Sequence, residues 1–314
     1  MDPGKTVFVT GGTGYIGSHC ILELLNSGYD VITVDNLLNS RSGSLKRVEN
    51  LTGKKITFYH CDLTDLKMVH KIFAKAMKTN GVFQMVFSSS CSVYGDAKTF
   101  PIKESHPTGN VTCPYGRSKY FIEEILKDLT NAEPKWNIIS LRYFNPIGAH
   151  KSGKIGEDNT KKFTNLVPLI SQVAIGKRSH LKIFGGDYDT KDGTAVRDYI
   201  HVVDLVKGHV IALEKIQEHH IKFKAYNLGL GQGLTVLELV EAFEKASGKK
   251  VAYKIEERRP GDVARLVCDA SLAKEELRWV PKLTVKDMCE DYWQWQTLNP
   301  NGYEDDEPYQ ANTL

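Results

Sequence analysis

An α/β fold is predicted for this chain: a doubly wound parallel sheet followed by a smaller C-terminal domain. Three observations predict it. Short continuous apolar runs such as Thr6-Val7-Phe8-Val9 alternate with stretches of helical periodicity, as in parallel strands buried on both faces and joined by crossover helices. The first run leads into Gly11-Gly12-Thr13-Gly14-Tyr15-Ile16-Gly17, and the second ends on an acid, Asp35. Beyond Pro146 the alternation loosens into longer loops and less regular elements.

The bulk properties narrow the class. A chain of 314 residues has room for one large α/β domain or two ordinary ones. With 41% hydrophobic and 25% charged residues it reads as a soluble globular protein. A net charge of +3 and the lack of a Lys/Arg run argue against a nucleic-acid partner. No apolar run approaches the ~18 residues of a membrane span, and Met1-Asp2-Pro3-Gly4 leads directly into a strand, so no membrane partner is expected. Cys20, Cys61, Cys91, Cys113, Cys268 and Cys289 show no zinc spacing. They read as reduced thiols of a cytoplasmic protein, with no metal site. A polar acidic tail, Tyr303 to Leu314, is expected to fray.

Taken in order, strand Thr6–Val9 is followed by a helix whose face is marked by Ile16, Ile21, Leu24 and Leu25 and which Gly28 stops. Strand Asp30–Val34 ends in Asp35. Glycines at the strand-to-helix turn let the backbone approach a pyrophosphate, and the helix N-terminus aims free N–H groups at its charge. A G-x-G-x-x-G run alone is weak, because any strand-to-helix turn can be rich in glycine. Here it follows a strand, opens a helix and meets an acid at the next strand end, which makes it a dinucleotide (Rossmann-type) fingerprint. Asp35 would accept hydrogen bonds from the adenosine ribose and repel a 2′-phosphate, so NAD is favoured over NADP.

Strand Ile56–His60 ends in Cys61-Asp62. Asp62 is placed to bond the adenine amino group or, more plainly, to cap the next element. A helix from about Leu66 to Met77 carries Val69, Ile72 and Phe73 on one face and stops at Asn80-Gly81. Next, strand Met85-Val86-Phe87 runs into Ser88, Ser89 and Ser90.

Two Tyr-x-x-x-Lys pairs follow. Tyr94 and Lys98 bracket the turn dipeptide Gly95-Asp96 and are not expected to be helical. Tyr115 and Lys119 follow Pro114, which suits a helix start, and precede Phe121, Ile122, Ile125, Leu126 and Leu129 at helical spacing. At i and i+4 the two side chains share a face, and the ammonium is expected to lower the phenol's pKa. Alone, this pair reads as a Tyr at the core edge beside a solvated Lys. After a dinucleotide turn and a strand ending in serine, it reads as an acid/base site.

Strand Asn137–Tyr143 leads to Phe144-Asn145-Pro146. Then come a Gly/Asp/Lys loop (Ala149–Lys162), a helix near Leu166–Ile175, strand Leu181–Phe184, and Val196–His201 ahead of a helix from about Val203 to Lys215. The capping box Thr235-Val236-Leu237-Glu238 opens a helix ending at Gly248, and a strand near Val251–Ile255 reaches Arg258-Arg259-Pro260-Gly261-Asp262. Two helices close the chain, with Trp293 and Trp295 structural. Arg197, Arg258 and Arg259 are candidates for an anionic ligand, since guanidinium forks match phosphate oxygens; surface ion pairs are the competing use.

Together these motifs resemble the extended short-chain dehydrogenases/reductases, and within them the UDP-glucose (UDP-galactose) 4-epimerase family. The resemblance covers nearly the whole chain. It rests on Val9–Gly17, Phe87 to Gly95, Pro114–Lys119, Leu141–Pro146, Asp192–Val202 and Arg258–Asp262. It implies NAD held by Gly11, Gly14, Tyr15, Ile16, Gly17, Asp35, Asn36, Asn39, Ser40, Asp62, Leu63, Tyr115, Lys119 and Tyr143. It implies Ser90 and Tyr115 at the sugar 4-hydroxyl, with Lys119 tuning Tyr115. Asn145, Asn165, Leu166, Phe184, Arg197, Tyr199, Arg259 and Asp262 fall where the family binds the UDP-sugar. The implied reaction interconverts UDP-galactose and UDP-glucose through a 4-keto sugar. Dehydratases of the same class use an acidic pair after the catalytic hydroxyl, where this chain has Cys91 and Ser92. Leu266, in the region that shapes the sugar pocket, leaves acceptance of N-acetylated sugars open.

The chain departs from the family in one place. Only one helix separates the third strand from the serine strand, where the family has a further strand and a long helix; a βα unit is absent near 74–85. Losing a helix that buries ~400 Å² of apolar area forfeits roughly 10 kcal/mol, comparable with a whole domain's stability of about 5–15 kcal/mol. Either Met85–Ser90 pairs directly with Thr6–Val9, or the sheet stays partly open. The division expected is a dinucleotide domain over 1–145, a UDP-sugar domain over 146–302 and the tail 303–314. A shortened form that is inactive or binds only nucleotide is the alternative reading, as is another nucleotide-sugar-modifying member of the same class. The family's homodimer uses the missing helix and the one starting at Tyr115, so dimerisation is in question.

Overall fold

The structure is a computed structural model that describes residues 5–65, 67, 81–158 and 165–312. It divides into two compact units. The first comprises Met1–Phe83, Ala149–Thr164 and Gln294–Leu314, and the second Gln84–Gly148 and Asn165–Trp293. The helix expected over Leu66–Met77 lies outside the described residues, apart from Lys67.

In the first unit, β1 (Thr6–Thr10), α1 (Tyr15–Asn26), β2 (Asp30–Asp35), α2 (Gly43–Thr52) and β3 (Thr57–His60) follow in order. The strands form a parallel sheet, β1-β2-β3, with Thr6 opposite Asp30 and Ile32 opposite Thr57. Ile21, Leu22, Leu24 and Leu25 of α1 are buried with Val31 and Val34 of β2. Helix α2 was not anticipated. Of its ten residues, Leu45 and Val48 are its only large buried apolar side chains, a signal shorter than two turns.

Within the tail, the described residues Tyr303 to Asn312 are docked where fraying was expected. Arg47 of α2 donates from Nε and Nη2 to the two carboxylate oxygens of Asp306, each at 2.7 Å, and its guanidinium lies 4.8 Å from the Tyr303 ring centroid. The Asn312 N–H donates to the Phe58 carbonyl at 2.7 Å, placing the chain end beside β3. Acidic residues that looked like a solvated tail are thus partners of a cation some 260 positions earlier, at |i−j| = 259.

The second unit begins with β4 (Gln84–Ser90), a 3₁₀ turn at Cys91–Tyr94, α3 (Pro114–Ala132), β5 (Asn137–Tyr143) and β6 (Asn145–Ile147). It continues through α4 (Leu166–Ala174), β7 (Leu181–Phe184), β8 (Val196–His201), α5 (Val202–Glu218), β9 (Phe223–Leu228), β10 (Gly233–Thr235) and α6 (Val236–Ser247). The last elements are β11 (Tyr253–Glu256), β12 (Arg265–Leu266), α7 (Ser271–Leu277) and α8 (Val285–Leu298). Strand β9 was not anticipated either. It pairs in parallel with β5, giving the sheet β4-β5-β9, and all seven residues of β5 are buried. Strands β6, β10 and β12 all pair with β8, and β7 pairs with β11. A core of Val167, Ile170, Ile183, Tyr199, Leu239 and Phe243 holds these elements together.

Among the described residues, β1 pairs with β2 and β4 with β5, in two separate three-stranded sheets. Val7, Phe8 and Val9, like Met85, Val86 and Phe87, are only half-buried. Among the described residues, no helix is long and apolar enough to cross a membrane.

Candidate active site

The expected site residues fall in both units. In the first, the glycine turn has the close approaches its sequence suggested. Gly11 has φ +68°, and a Cβ on Gly17 would lie 2.1 Å from the Gly11 carbonyl oxygen, so neither position accepts a side chain without strain. Gly14 precedes α1 in extended conformation and offers no side-chain cap to the start of this twelve-residue helix, at Tyr15, Ile16 and Gly17. This backbone cradle fits a pyrophosphate.

Asp35 ends β2 and is buried. One of its oxygens accepts from the Thr13 N–H at 3.1 Å, and the other from the Leu37 N–H at 2.9 Å and the Ser40 hydroxyl at 3.1 Å. Thr13, which sequence reasoning passed over, therefore ties the turn to the acid. Asp62 accepts from the N–H and hydroxyl of Thr64, both at 2.8 Å, and its other oxygen takes the Asn36 amide at 3.3 Å; the helix it was expected to cap lies outside the described residues. Those bonds, Thr64 first, hold the Asp62 carboxyl below its ordinary range. Asn39 and Leu63 lie on the loops after β2 and β3.

In the second unit the three serines have three jobs. Ser90 ends β4, and its Oγ accepts the Ser92 N–H at 3.2 Å, capping the 3₁₀ turn. The Ser88 carbonyl accepts from Lys119 Nζ at 2.9 Å. The Ser89 hydroxyl donates to Glu123 at 2.6 Å. Tyr115, Lys119 and Glu123 are spaced i, i+4, i+8 on α3, so one stripe of that helix meets the serine run. Gly116 permits this closeness: a Cβ there would lie 2.8 Å from the Ser92 carbonyl oxygen.

Burial of the phenol pushes the Tyr115 pKa up, and the Ser90 hydroxyl, hydrogen-bonded to it, pulls the other way. This corrects the expectation that Lys119 lowers it. The Lys119 ammonium stands 5.7 Å from the Tyr115 ring centroid and is given to the Ser88 carbonyl instead. Burial in turn lowers the Lys119 pKa. Lys98 pairs with Asp96, and Tyr94 is buried with its hydroxyl on Asn227 at 2.7 Å, so the first Tyr/Lys pair is structural.

Four residues here escaped the sequence reading. Glu123 and Arg142 are 0% and 3% exposed, and form a forked ion pair at 3.0 and 2.6 Å. Ser140 adds a donor at 2.9 Å, and Arg142 also reaches the Tyr94 hydroxyl at 2.8 Å. The network fastens α3 to β4 and β5. The fourth is His209, buried in α5, whose Nδ1 faces the Leu205 carbonyl at 3.2 Å and so carries the proton. Its Nε2 then accepts from the Tyr143 hydroxyl, which also lies 2.7 Å from Ser88 Oγ. Desolvation pushes the His209 pKa down to about 4. In sequence, a histidine among the valines of α5 looks like any core residue.

The remaining candidates form two groups. Phe184, Arg259 and Asp262 come together: the Arg259 guanidinium lies 4.8 Å from the Phe184 ring centroid and donates to Asp262 at 2.9 Å. Asn145 pairs opposite Tyr199 on β8, beside Arg197, and its amide donates to the Asp198 carbonyl at 2.8 Å. Asn165 and Leu166 stand at the start of α4, with Leu166 packed on the core that holds Tyr199. Arg258 is turned to Asp187 at 2.7 Å and to the Tyr188 ring at 4.1 Å, the surface-pair use. Among the described residues, no cluster of His, Cys, Asp and Glu could hold a metal.

Comparisons with known proteins bear on this arrangement. The family described as GDP-mannose 4,6 dehydratase matches residues 8–80 and 74–292. UDP-glucose 4-epimerase of Drosophila melanogaster is 49% identical over 343 positions, covering 95% of this chain and 98% of the relative. The human enzyme of that name is 47% identical, with the same coverage. A crystal structure of UDP-glucose 4-epimerase from Bifidobacterium longum in complex with NAD⁺ and UDP superposes with a TM-score of 0.91 at 45% identity, over 95% of this chain and 99% of that one. The 343 aligned positions exceed the chain's 314 residues, so at least 29 positions have no counterpart here. The two stretches of the family match meet at residues 74–80, where the sequence pointed to a missing βα unit.

Proposed function

Because this chain belongs to the UDP-glucose 4-epimerase family of extended short-chain dehydrogenases/reductases, we propose that it interconverts UDP-galactose and UDP-glucose by NAD-dependent transient oxidation at the sugar C4. The observation that carries this reading is the Ser90–Tyr115–Lys119 constellation, built on one strand end and one helix face and anchored through Ser88 and Ser89.

NAD would be held by the Gly11–Gly17 cradle with Asp35, Asn36, Asn39, Ser40, Asp62 and Leu63, and we assign Tyr115, Lys119 and Tyr143 to its nicotinamide half. When bound, it supplies the group that takes hydride from C4 and returns it. Tyr115 would accept the 4-hydroxyl proton as its phenolate, directly or through Ser90, and give it back when the ketone is reduced; the Lys119 ammonium 5.7 Å from its ring would favour that form. His209 fixes the direction of the Tyr143 hydroxyl. Asn145, Asn165, Leu166, Phe184, Arg197, Tyr199, Arg259 and Asp262 are assigned to the UDP-sugar, with the guanidinium groups of Arg197 and Arg259 suited to its pyrophosphate. Elimination of water is disfavoured. Cys91 is a buried thiol pushed up to about 12, and Ser92 is not an acid, so no carboxyl group follows Ser90. Six free cysteines suit a cytoplasmic setting.

One observation favours a second reading. With at least 29 aligned positions of its relatives unmatched here, the shortened chain would bind nucleotides and turn over slowly or not at all. Purified protein is tested for conversion of UDP-galactose to UDP-glucose, with and without added NAD. Conversion supports the first reading. NAD and UDP binding without conversion selects the second.

A further inference from the structure

We infer that the C-terminal strap, Tyr303 to Asn312, acts as a positioning element of the cofactor site by clamping the loop that carries Asn39 and Ser40. This rests on the NAD reading above and adds to it a part of the chain that no motif singled out.

The loop from Asn36 to Ser42 is fixed at both ends. At its start, the Asp35 carboxylate takes the Leu37 N–H and the Ser40 hydroxyl at 2.9 and 3.1 Å. Leu37 sits at φ 58°, a left-handed conformation that a branched side chain adopts only under constraint. At its end, the first turn of α2 is gripped by the strap. Arg41 pairs with Glu304 at 3.0 Å, and the Tyr309 N–H donates to the Ser42 hydroxyl at 2.9 Å. A Cβ on Gly43 would lie 2.6 Å from the Asp306 Cβ, so strap and helix are in direct contact. Further along α2, Arg47 takes Asp306 in the two-pronged contact described above, and the Tyr309 hydroxyl donates to Glu49 at 2.6 Å.

From α2 the linkage continues to the glycine turn. The Ser44 hydroxyl donates to the Thr13 carbonyl at 2.9 Å, and the Thr13 and Ser40 hydroxyls are 2.5 Å apart. The strap thus holds α2, α2 holds Thr13, and Thr13 and Ser40 hold Asp35. The strap need not touch the nucleotide. It adds to the contacts that fix the end of the loop, among them Arg41 with Asp158 at 3.4 Å and with Ser44, and a loop ordered before binding loses less entropy when the ligand arrives.

The test compares the full chain with the single variants Asp306→Asn and Tyr309→Phe and with a chain ending at Gly302. Dissociation constants are measured for NAD, for ADP-ribose as a probe of the adenosine half, and for UDP. The chain ending at Gly302 is expected to bind NAD and ADP-ribose about tenfold more weakly or worse, an affinity change readily resolved, and Asp306→Asn to fall between it and the full chain. UDP affinity is expected to be unchanged in all of them. Unchanged ADP-ribose binding in Asp306→Asn and Tyr309→Phe would overturn the inference, as would an equal loss of UDP binding, which marks a general structural role. A full chain that binds UDP but not ADP-ribose would overturn the NAD reading itself and the strap with it.

Discussion

The two three-stranded sheets carry their functional groups in different ways. In β4-β5-β9 the groups are close in sequence: Ser88, Ser89, Tyr115, Lys119, Glu123, Ser140 and Arg142 span 55 positions, and the buried Ser89, Glu123, Ser140 and Arg142 are locked by the Glu123–Arg142 pair. In β1-β2-β3 the cradle around Asp35 depends on a strap from the other end of the chain, joined by ion pairs that are part-exposed. The difference teaches where a lost βα unit does least harm. A site held by its own strand and helix needs no distant segment, whereas a cradle held from a distance depends on that segment staying docked.

Three substitutions or conditions sharpen this comparison. The largest effect is expected for Tyr115→Phe, which removes the proton acceptor and lowers turnover by about 10²–10⁴-fold, with UDP affinity retained. Next, Glu123→Ala strands the Arg142 guanidinium in the interior, and breaking a buried pair this way costs about 3–5 kcal/mol, read as a lower urea midpoint. If the pair were peripheral, the loss would stay below about 1 kcal/mol.

The smallest is a pH effect. His209 is held neutral with its pKa depressed to about 4, so below the ordinary histidine value of about 6.5 the unfolded chain binds a proton that the folded chain refuses. Stability is therefore full above about pH 6.5 and falls as pH drops towards 4, by roughly 3 kcal/mol in all. Glu123 adds a loss at lower pH still, because its carboxyl, opposed by burial but held down by Arg142, Ser89 and Ser140, contributes stability until it is protonated. Replacing His209 with Gln is expected to flatten the slope between pH 6.5 and 4, monitored by thermal melts across that range.

Much of the frame was legible because its signals are local. The glycine turn, the acid of β2, the serine run and the Pro114-Tyr115-x-x-x-Lys119 helix start each fit within one element and its flanks. What stayed hidden was non-local or weakly patterned. Strand β9 places Lys224 between Phe223 and Ala225, and that lysine is accommodated only because Glu276 of α7 meets it. The Tyr303–Asn312 segment reads as solvated acid until Arg47 is found beside it. Glu123 on α3 looks like a surface residue of an amphipathic helix; its burial is explained by Arg142, 19 positions on, with Ser89 and Ser140. The phenol's raised pKa follows from desolvation, which i, i+4 spacing does not report.

The most direct test of the central claim follows the hydrogen at C4. UDP-galactose deuterated at that carbon is incubated with the purified chain in ordinary water, and the product is examined by mass spectrometry and NMR. Transient oxidation with the hydride returned to the same carbon predicts UDP-glucose that keeps its deuterium at C4. Loss of the label to water, or no UDP-glucose from protein that retains NAD and binds UDP, would contradict it.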